Sequence, residues 1–281
     1  MRAVVTGGTG RVGWFIAQHY RALGWEVTAT GRELPLAPDT DYAPLLAGAD
    51  LLVHCAFAHV PGRYRGGEGD DPAGFRRANL DGTTALFHAA RTAGVRRVVF
   101  LSTRAVYGPH AAGTWLAEDM PCHPDTLYGE VKLAAERALA QLSGPGFAGV
   151  SLRVTGVYGP TPDGVLHKWA DLFQDFQQGR PIAPRAGTEV HGEDVARAVE
   201  LVAGLESPAP VYNVSDMLLD RRELLRLTGL PGTLPETADA TKVNQMDTCL
   251  LYTSDAADED CRVGGAGVGV GGVWGGGGGG G

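Results

Sequence analysis

Three side chains in the middle of the chain, Thr103, Tyr128 and Lys132, could together steady an oxygen and move a proton. Tyr128 and Lys132 stand four residues apart in YGEVK, so a helix there carries both on one face. A phenol, with a pKa of about 10, is a poor base at neutral pH, but a neighbouring ammonium and a cationic ring each favour phenolate. A phenolate so placed can exchange a proton with a hydroxyl or carbonyl while hydride passes to or from a redox cofactor. Thr103 closes the apolar run of FLST and offers a hydroxyl to hold the substrate oxygen. Each feature alone is ordinary, because Tyr/Lys pairs are common on helix surfaces and Thr is common at strand ends. Their order in the chain, behind a glycine turn, points to an oxidoreductase.

That turn is TGGTGRVG, with Gly7, Gly10 and Gly13 directly after an apolar strand and at the opening of a helix. Glycines so placed give a tight turn, close backbone approach to a pyrophosphate and free N–H groups at the positive helix end. Arg11 and Val12 lie between them and belong to the same expected cofactor-binding set. The second strand ends in Thr30-Gly31-Arg32. Selectivity for NAD is usually set by an acid at the position of Gly31, whereas Arg32 can pair with a 2′-phosphate. NADP is therefore expected over NAD, with Glu33 able to reverse the preference if it turns inward, and with Arg32 as a plain solvated loop charge the alternative.

Short β-branched runs alternate with longer helical patterns through the first half, the signature of βαβ units and a parallel sheet covered on both faces. Strands are read at 2–6, 26–30, 50–55, 97–101 and 149–154, and helices at 12–23 and 73–93. Residues 31–49 leave little room for both a strand and a helix, so an abbreviated crossover is expected. After Val154 come Gly/Pro loops, the short strand VYNV and two or three helices. The fold class is α/β: a Rossmann doubly wound parallel sheet (1–155) with a small C-terminal substrate lobe (156–248) over the strand ends where such sheets bind ligands.

The 281 residues are 44% hydrophobic and 20% charged, ample for a core, and the net charge of -8 gives no footprint for nucleic acid or an anionic membrane. Met1 and Arg2 lead straight into an apolar run with no room for a signal peptide, and no run reaches membrane-spanning length, so a cytoplasmic protein is expected. His54 and Cys55 fall within a strand and read as core; Cys122-His123 has no further ligands nearby, and no metal is expected. His191 and Asp194 read as organisers of the start of the helix DVARAVELVAGL, and Tyr107 and Tyr158 as residues that line the pocket or pack. From Cys249 onward the pattern stops: CLLYTSDAADE resembles the read-through of a sequencing-library adapter, and a Gly/Val/Trp run follows. Residues 249–281 are read as a disordered, non-native tail that replaces the end of the substrate lobe and leaves it truncated.

Taken together, the GxxGxxG loop, NLDGT, STRAVYG, YGEVK, LRVTGVYGP and VHGEDVARAV resemble the extended short-chain dehydrogenases/reductases, the NAD(P)-dependent epimerase/dehydratase family, over nearly all of residues 1–248. The resemblance implies Thr103, Tyr128 and Lys132 as catalytic triad and Lys132 and Asn79 near the cofactor; for Asn79 a helix-packing amide is the alternative. Family dehydratases carry an acidic pair after the catalytic Thr. Arg104 and Ala105 stand there in this chain, which disfavours a 4,6-dehydratase. Members acting on nucleotide sugars carry an Arg-Asp where this chain has Gly187-Thr188, with Arg185 the nearest substitute; this shifts weight toward a smaller polyol, sugar acid or ketone. The loop 58–71 offers His59, Arg63 and Arg65 to an anionic substrate, or serves only as a solvated lid. The expected function is NAD(P)-dependent epimerisation or oxidoreduction of a sugar, nucleotide-sugar or related hydroxyl or carbonyl. A homodimer through a helix pair is implied by the resemblance alone. The competing reading is a non-catalytic dinucleotide-sensing or scaffold protein on the same fold.

Overall fold

The structure, a computed structural model, describes residues 1–60 and 66–253. Its elements are, in order, β1 (Arg2–Thr6), α1 (Gly13–Ala22), β2 (Glu26–Thr30), α2 (Ala43–Leu46), β3 (Leu51–His54), α3 (Pro72–Arg76), α4 (Thr83–Thr92) and β4 (Arg97–Thr103). There follow β5 (Trp115–Leu116), α5 (Leu127–Leu142), β6 (Ala148–Val154), β7 (Gly156–Tyr158), α6 (Ala170–Gln177), β8 (Ala186–His191), α7 (Gly192–Gly204) and β9 (Val211–Val214). The last are β10 (Met217–Asp220), α8 (Arg221–Leu227), β11 (Gln245–Met246) and α9 (Cys249–Thr253).

Six strands form one parallel sheet in the order β2-β1-β3-β4-β6-β9. Residues alternate between its faces, so each central strand feeds two cores. Ala3, Val5, Leu51, Val53, Val99 and Leu101 pack with α1 and α7. Val4, Leu52, Val98 and Phe100 pack with α4 and α5. This is why the strands read as continuous apolar runs: both faces are covered. The crossover from β2 to β3 holds only the single turn α2, as the short spacing predicts.

Chain order reverses between β2-β1 and β3-β4, which opens a crevice at the C-terminal ends of β1 and β3. The rest of the chain adds a second sheet, β10-β8-β7, and a two-stranded ribbon, β11-β5, made from segments far apart in sequence. Met246 of that ribbon is buried with Val106, Tyr107, Leu116 and Leu133, tying the end of the lobe to the turn after β4. Residues 249–253, read from the sequence as the start of a disordered tail, instead form α9, because Leu251 finds a buried place in the core of the main sheet.

One helix differs from expectation. The segment read as continuous over 73–93 is divided into α3 and α4 by a widened turn over Arg77–Gly82. A Cβ on Gly82 would lie 2.7 Å from Ala37 N, so glycine lets this turn press on the abbreviated crossover.

Candidate active site

The glycine loop is packed from below and open above. Gly7 has φ of 69°, a region that favours glycine, and a Cβ there would meet Ala56 N at 2.7 Å. A Cβ on Gly8, which the glycine spacing does not single out, would lie 2.7 Å from the Ala29 methyl. Gly13 starts α1 and lies against Gly7 O, so a side chain would separate helix from loop. Gly10 alone of these has room, a Cβ meeting nothing nearer than Gly7 O at 3.2 Å. Val12 is the capping residue of α1, and the helix has no acid in its first turn to compete with an anion. A tight loop with one open glycine under an uncontested helix N-terminus fits a dinucleotide pyrophosphate. Arg11 reaches over the loop and donates Nη2–H to Leu166 O (3.0 Å), joining the loop to the substrate lobe.

At the end of β2, Arg32 and Glu33 are both exposed, and the Glu33 carboxylate folds back onto its own turn. The Gly31 N–H donates to Glu33 Oε1 (2.5 Å) and holds that carboxyl below the usual range. Gly31 also lies against the Thr9 hydroxyl, so the Glu33 carboxylate and the glycine loop share one corner. An aspartate or glutamate in such a corner suits a ribose diol, and it repels a 2′-phosphate.

Thr103 ends β4 and caps the turn over Arg104–Val106, its Oγ1 accepting from Ala105 N–H (3.2 Å). The hydroxyl hydrogen is thus left for a substrate oxygen. Thr126 caps α5, its Oγ1 accepting from Gly129 N–H (3.1 Å), which fixes Tyr128 in the first helical turn. Gly129 makes the approach possible: a Cβ there would lie 2.7 Å from Ala105 O and 2.8 Å from Pro124 Cβ. The helix carrying Tyr128 and Lys132 is therefore seated directly on the turn after Thr103.

Lys132 is 4% exposed and donates Nζ–H to Leu101 O (2.6 Å) between the rings of Phe57 and Phe100, 4.7 and 4.5 Å from their centroids. Burial lowers its pKa to about 8, with Cys55 and Glu136 pulling it back upward. Phe57 also packs edge-on against Tyr128, with ring centroids 5.0 Å apart. This aromatic, absent from the sequence-based site, touches both members of the pair.

Glu136, one turn beyond Lys132, is buried at the base of the site. It accepts from the Ser102 hydroxyl and from Arg153 Nε and Nη2 (3.2 and 2.9 Å), while Arg153 also lies over the Tyr107 ring. Tyr107 is a packing residue, fully buried, its hydroxyl donating to Asn213 Oδ1 (2.8 Å). Asn79 is spent on the loop after β3: Oδ1 accepts from Ala58 N–H (2.7 Å) and Nδ2 donates to Ala58 O (2.7 Å) and Phe75 O (3.0 Å). It thus clamps the loop after β3 onto the helix that carries it.

His54 is core. Its ring is fully buried, Nδ1 paired with Thr6 Oγ1 (2.6 Å) and Nε2 with Thr83 Oγ1 (3.0 Å). His191 caps α7, Nδ1 accepting from Glu193 N–H (3.3 Å), and Asp194 pairs with Arg197. Tyr158 stacks on Trp169 at the lobe, half-buried. His59 is exposed beside Phe57, Arg185 is exposed just before β8, and Arg63 and Arg65 lie outside the described residues. Among the described residues no group of three or more His, Cys, Asp or Glu could hold a metal, and no helix is long and apolar enough to cross a membrane.

Residues 3–215 match the model of the NAD dependent epimerase/dehydratase family. The chain belongs to that family. It is similar to the dTDP-6-deoxy-L-talose 4-dehydrogenase (NAD(P)(+)) of Kitasatospora kifunensis, 32% identical over 286 residues that cover 90% of this chain and 89% of that protein. It is 30% identical over 194 residues to the dTDP-glucose 4,6-dehydratase of Streptomyces griseus, a match that takes in 65% of this chain and spans only 56% of that relative's length. Among solved structures it resembles the UDP-glucose 4-epimerase of Thermus thermophilus in complex with NAD, with TM-score 0.73 and 25% identity over 91% of this chain and 93% of that chain. The Rossmann-like sheet described above is the fold of this solved relative.

Proposed function

We propose that this enzyme oxidises and reduces, or epimerises, a carbinol carbon of a nucleotide sugar or related sugar, with Tyr128 as the proton-transfer group. The observation that carries the reading is the seating of Tyr128 and Lys132 on the Thr103 turn through Gly129, with Phe57 packed on both. Thr103 holds the substrate oxygen through its unspent hydroxyl hydrogen. Tyr128 takes the proton from that oxygen as the carbon gives up hydride, and returns it in the reverse step. A bound nicotinamide dinucleotide supplies the hydride acceptor and donor. Gly7, Gly10, Arg11, Val12 and Gly13 would hold its pyrophosphate, and Lys132, released from Leu101 O, its nicotinamide ribose. The Lys132 ammonium favours the Tyr128 phenolate at neutral pH, and this support fades as pH rises through about 8.

The Glu33 carboxylate, held by the Gly31 N–H beside the Thr9 hydroxyl of the glycine loop, supports NAD as the preferred cofactor, in place of the NADP that Arg32 alone suggests. Sugar-nucleotide relatives support the substrate class over a small ketone. Dehydration, the activity of a relative, is not part of this reading. Arg104 and Ala105 fill the places of the acids after Thr103, and Arg104 Nη2 donates to Asn244 O (3.1 Å), so neither position offers a carboxyl for a second proton transfer. The test is a screen of nucleotide sugars, uronic acids and small ketones with NAD and NADP, reading cofactor reduction and sugar interconversion. Turnover of a nucleotide sugar with NAD, shifted toward NADP by Glu33→Gln, is expected; activity confined to small ketones, or an NADP preference in the unaltered enzyme, would overturn it.

A further inference from the structure

The substrate lobe holds an ion pair in a place made for it by a missing side chain. Lys168 Nζ and the Glu189 carboxylate meet directly over the Cα of Gly156, where any Cβ would strike both. Gly156 does not have the positive φ that would demand glycine. Its lack of a side chain therefore serves space, not backbone conformation. Both charged groups are mostly buried, 19% and 15% exposed.

The place is at the reaction centre's edge. Val154 is the register partner of Thr103, and Gly156, two residues on in the chain, opens β7 of the second sheet. Two residues of chain reach at most about 7 Å and paired strands lie about 5 Å apart, so Gly156 stands within roughly 12 Å of Thr103. One sugar ring and its first substituent span that interval.

The surroundings carry more positive charge than Glu189 balances. Arg11, from the glycine loop, and Arg185 both act on Lys168 as like charges, and Arg185 acts likewise on Arg221, whose backbone N–H donates to Arg185 O (2.9 Å). Arg221 Nη1 is held by Ala183 O (3.3 Å), and Arg11 Nη2 by Leu166 O, so these heads are fixed near one another at some electrostatic cost. A group bearing several negative charges would relieve that repulsion, whereas a neutral sugar would not. A single carboxylate is already supplied by the protein itself.

We propose that Lys168, aimed by Glu189 across the space that Gly156 leaves open, grips the phosphate oxygens of the substrate's diphosphate arm. This specificity role rests on the proposed function, and it supplies the anion grip that Gly187-Thr188 lacks. Glu189 keeps the ammonium extended while the arm is absent, and Lys168 then shares its three N–H donors between carboxylate and phosphate. Arg185 is the outer, exposed support and Lys168 the inner contact.

The test uses the full chain loaded with NAD, titrated calorimetrically with UDP, dTDP and uridine. Unaltered protein should bind a diphosphate at least about tenfold more tightly than the nucleoside, and Lys168→Gln should remove about that factor, the loss expected for one hydrogen bond to a charged group. Lys168→Arg should retain most of the affinity. Gly156→Ala, whose methyl displaces only the flexible ends of the pair, should weaken diphosphate binding in the same direction. Diphosphate affinity unchanged in Lys168→Gln would overturn the assignment. Equal loss for uridine would also overturn it, as would an equal loss in NAD affinity, since that would place the anion on the cofactor. Diphosphate binding that depends on Lys168, with no sugar nucleotide able to reduce bound NAD, would uphold the grip and refute the proposed reaction instead.

Discussion

Replacing Glu136 by Gln tests the platform under the site. Glu136 and Arg153 are 3% and 6% exposed, and the carboxylate accepts from Ser102 Oγ, Arg153 Nε and Arg153 Nη2. A glutamine can keep its oxygen toward Arg153 and turn its NH2 toward Ser102, whose hydroxyl can accept. The shape survives and the charge does not. Removing one member of a buried pair costs about 3–5 kcal/mol. Arg153 keeps the Glu118 carbonyl (3.1 Å) and the Tyr107 face, 4.8 Å from its centroid, so the lower end, about 3 kcal/mol, is expected. At about 2–4 °C per kcal/mol for a chain of this size, the melting temperature should fall by roughly 6–12 °C. Urea unfolding of Glu136→Gln, with the double variant Glu136→Leu/Arg153→Met as control, measures this. The double variant should recover much of the loss, because both charges leave together. A single variant as stable as the parent, or a double variant less stable than the single, would refute the reasoning.

Burial holds the His54 pKa at about 3, so the folded ring stays neutral while the unfolded imidazole charges below about 6.5. Stability from this group is therefore present above 6.5 and lost as pH falls, by about 2–3 kcal/mol at pH 4.5. The stability slope between pH 6.5 and 4.5 should flatten in His54→Gln, and an NMR titration in which the His54 ring charges near 6.5 would show the assignment to be wrong. Gly129→Ala puts a methyl 2.7 Å from Ala105 O and pushes α5 off the Thr103 turn. A misplacement of a few tenths of an ångström should lower kcat roughly ten- to a hundredfold with little change in NAD affinity. Unaltered kcat would mean that Gly129 does not set the Tyr128–Thr103 spacing.

Much of this is legible in the sequence, for physical reasons that also explain the rest. The strand at 2–6 falls where the residues predict it, because two covered faces leave a buried apolar run, and the edge strand at 26–30 is legible from its β-branched residues alone. The Tyr128–Lys132 face and the glycine loop are legible because each is set by local spacing. What sequence spacing hides is contact across the fold. Asn79 looks like a helical amide until Ala58 is seen to take its oxygen and nitrogen, and the helix widens there. Gly129 and Gly156 look alike as letters, yet one seats a helix on a turn and the other makes room for an ion pair formed by residues 12 and 33 positions onward. Glu33 reads only as a possible reversal of cofactor preference, since nothing local says whether a loop acid turns in or out. The β5–β11 ribbon pairs Trp115 with Gln245, a separation no periodicity can report.

The central claim is that Tyr128 moves the proton while hydride passes to NAD. Single-turnover reduction of bound NAD, followed by the near-ultraviolet absorbance of the reduced nicotinamide, tests it in Tyr128→Phe with the best sugar nucleotide from the screen. The expected rate is lower by about a hundredfold or more, the contribution of one general acid–base group, with NAD and substrate affinities unchanged. A Tyr128→Phe enzyme that reduces NAD at the parental rate would contradict it.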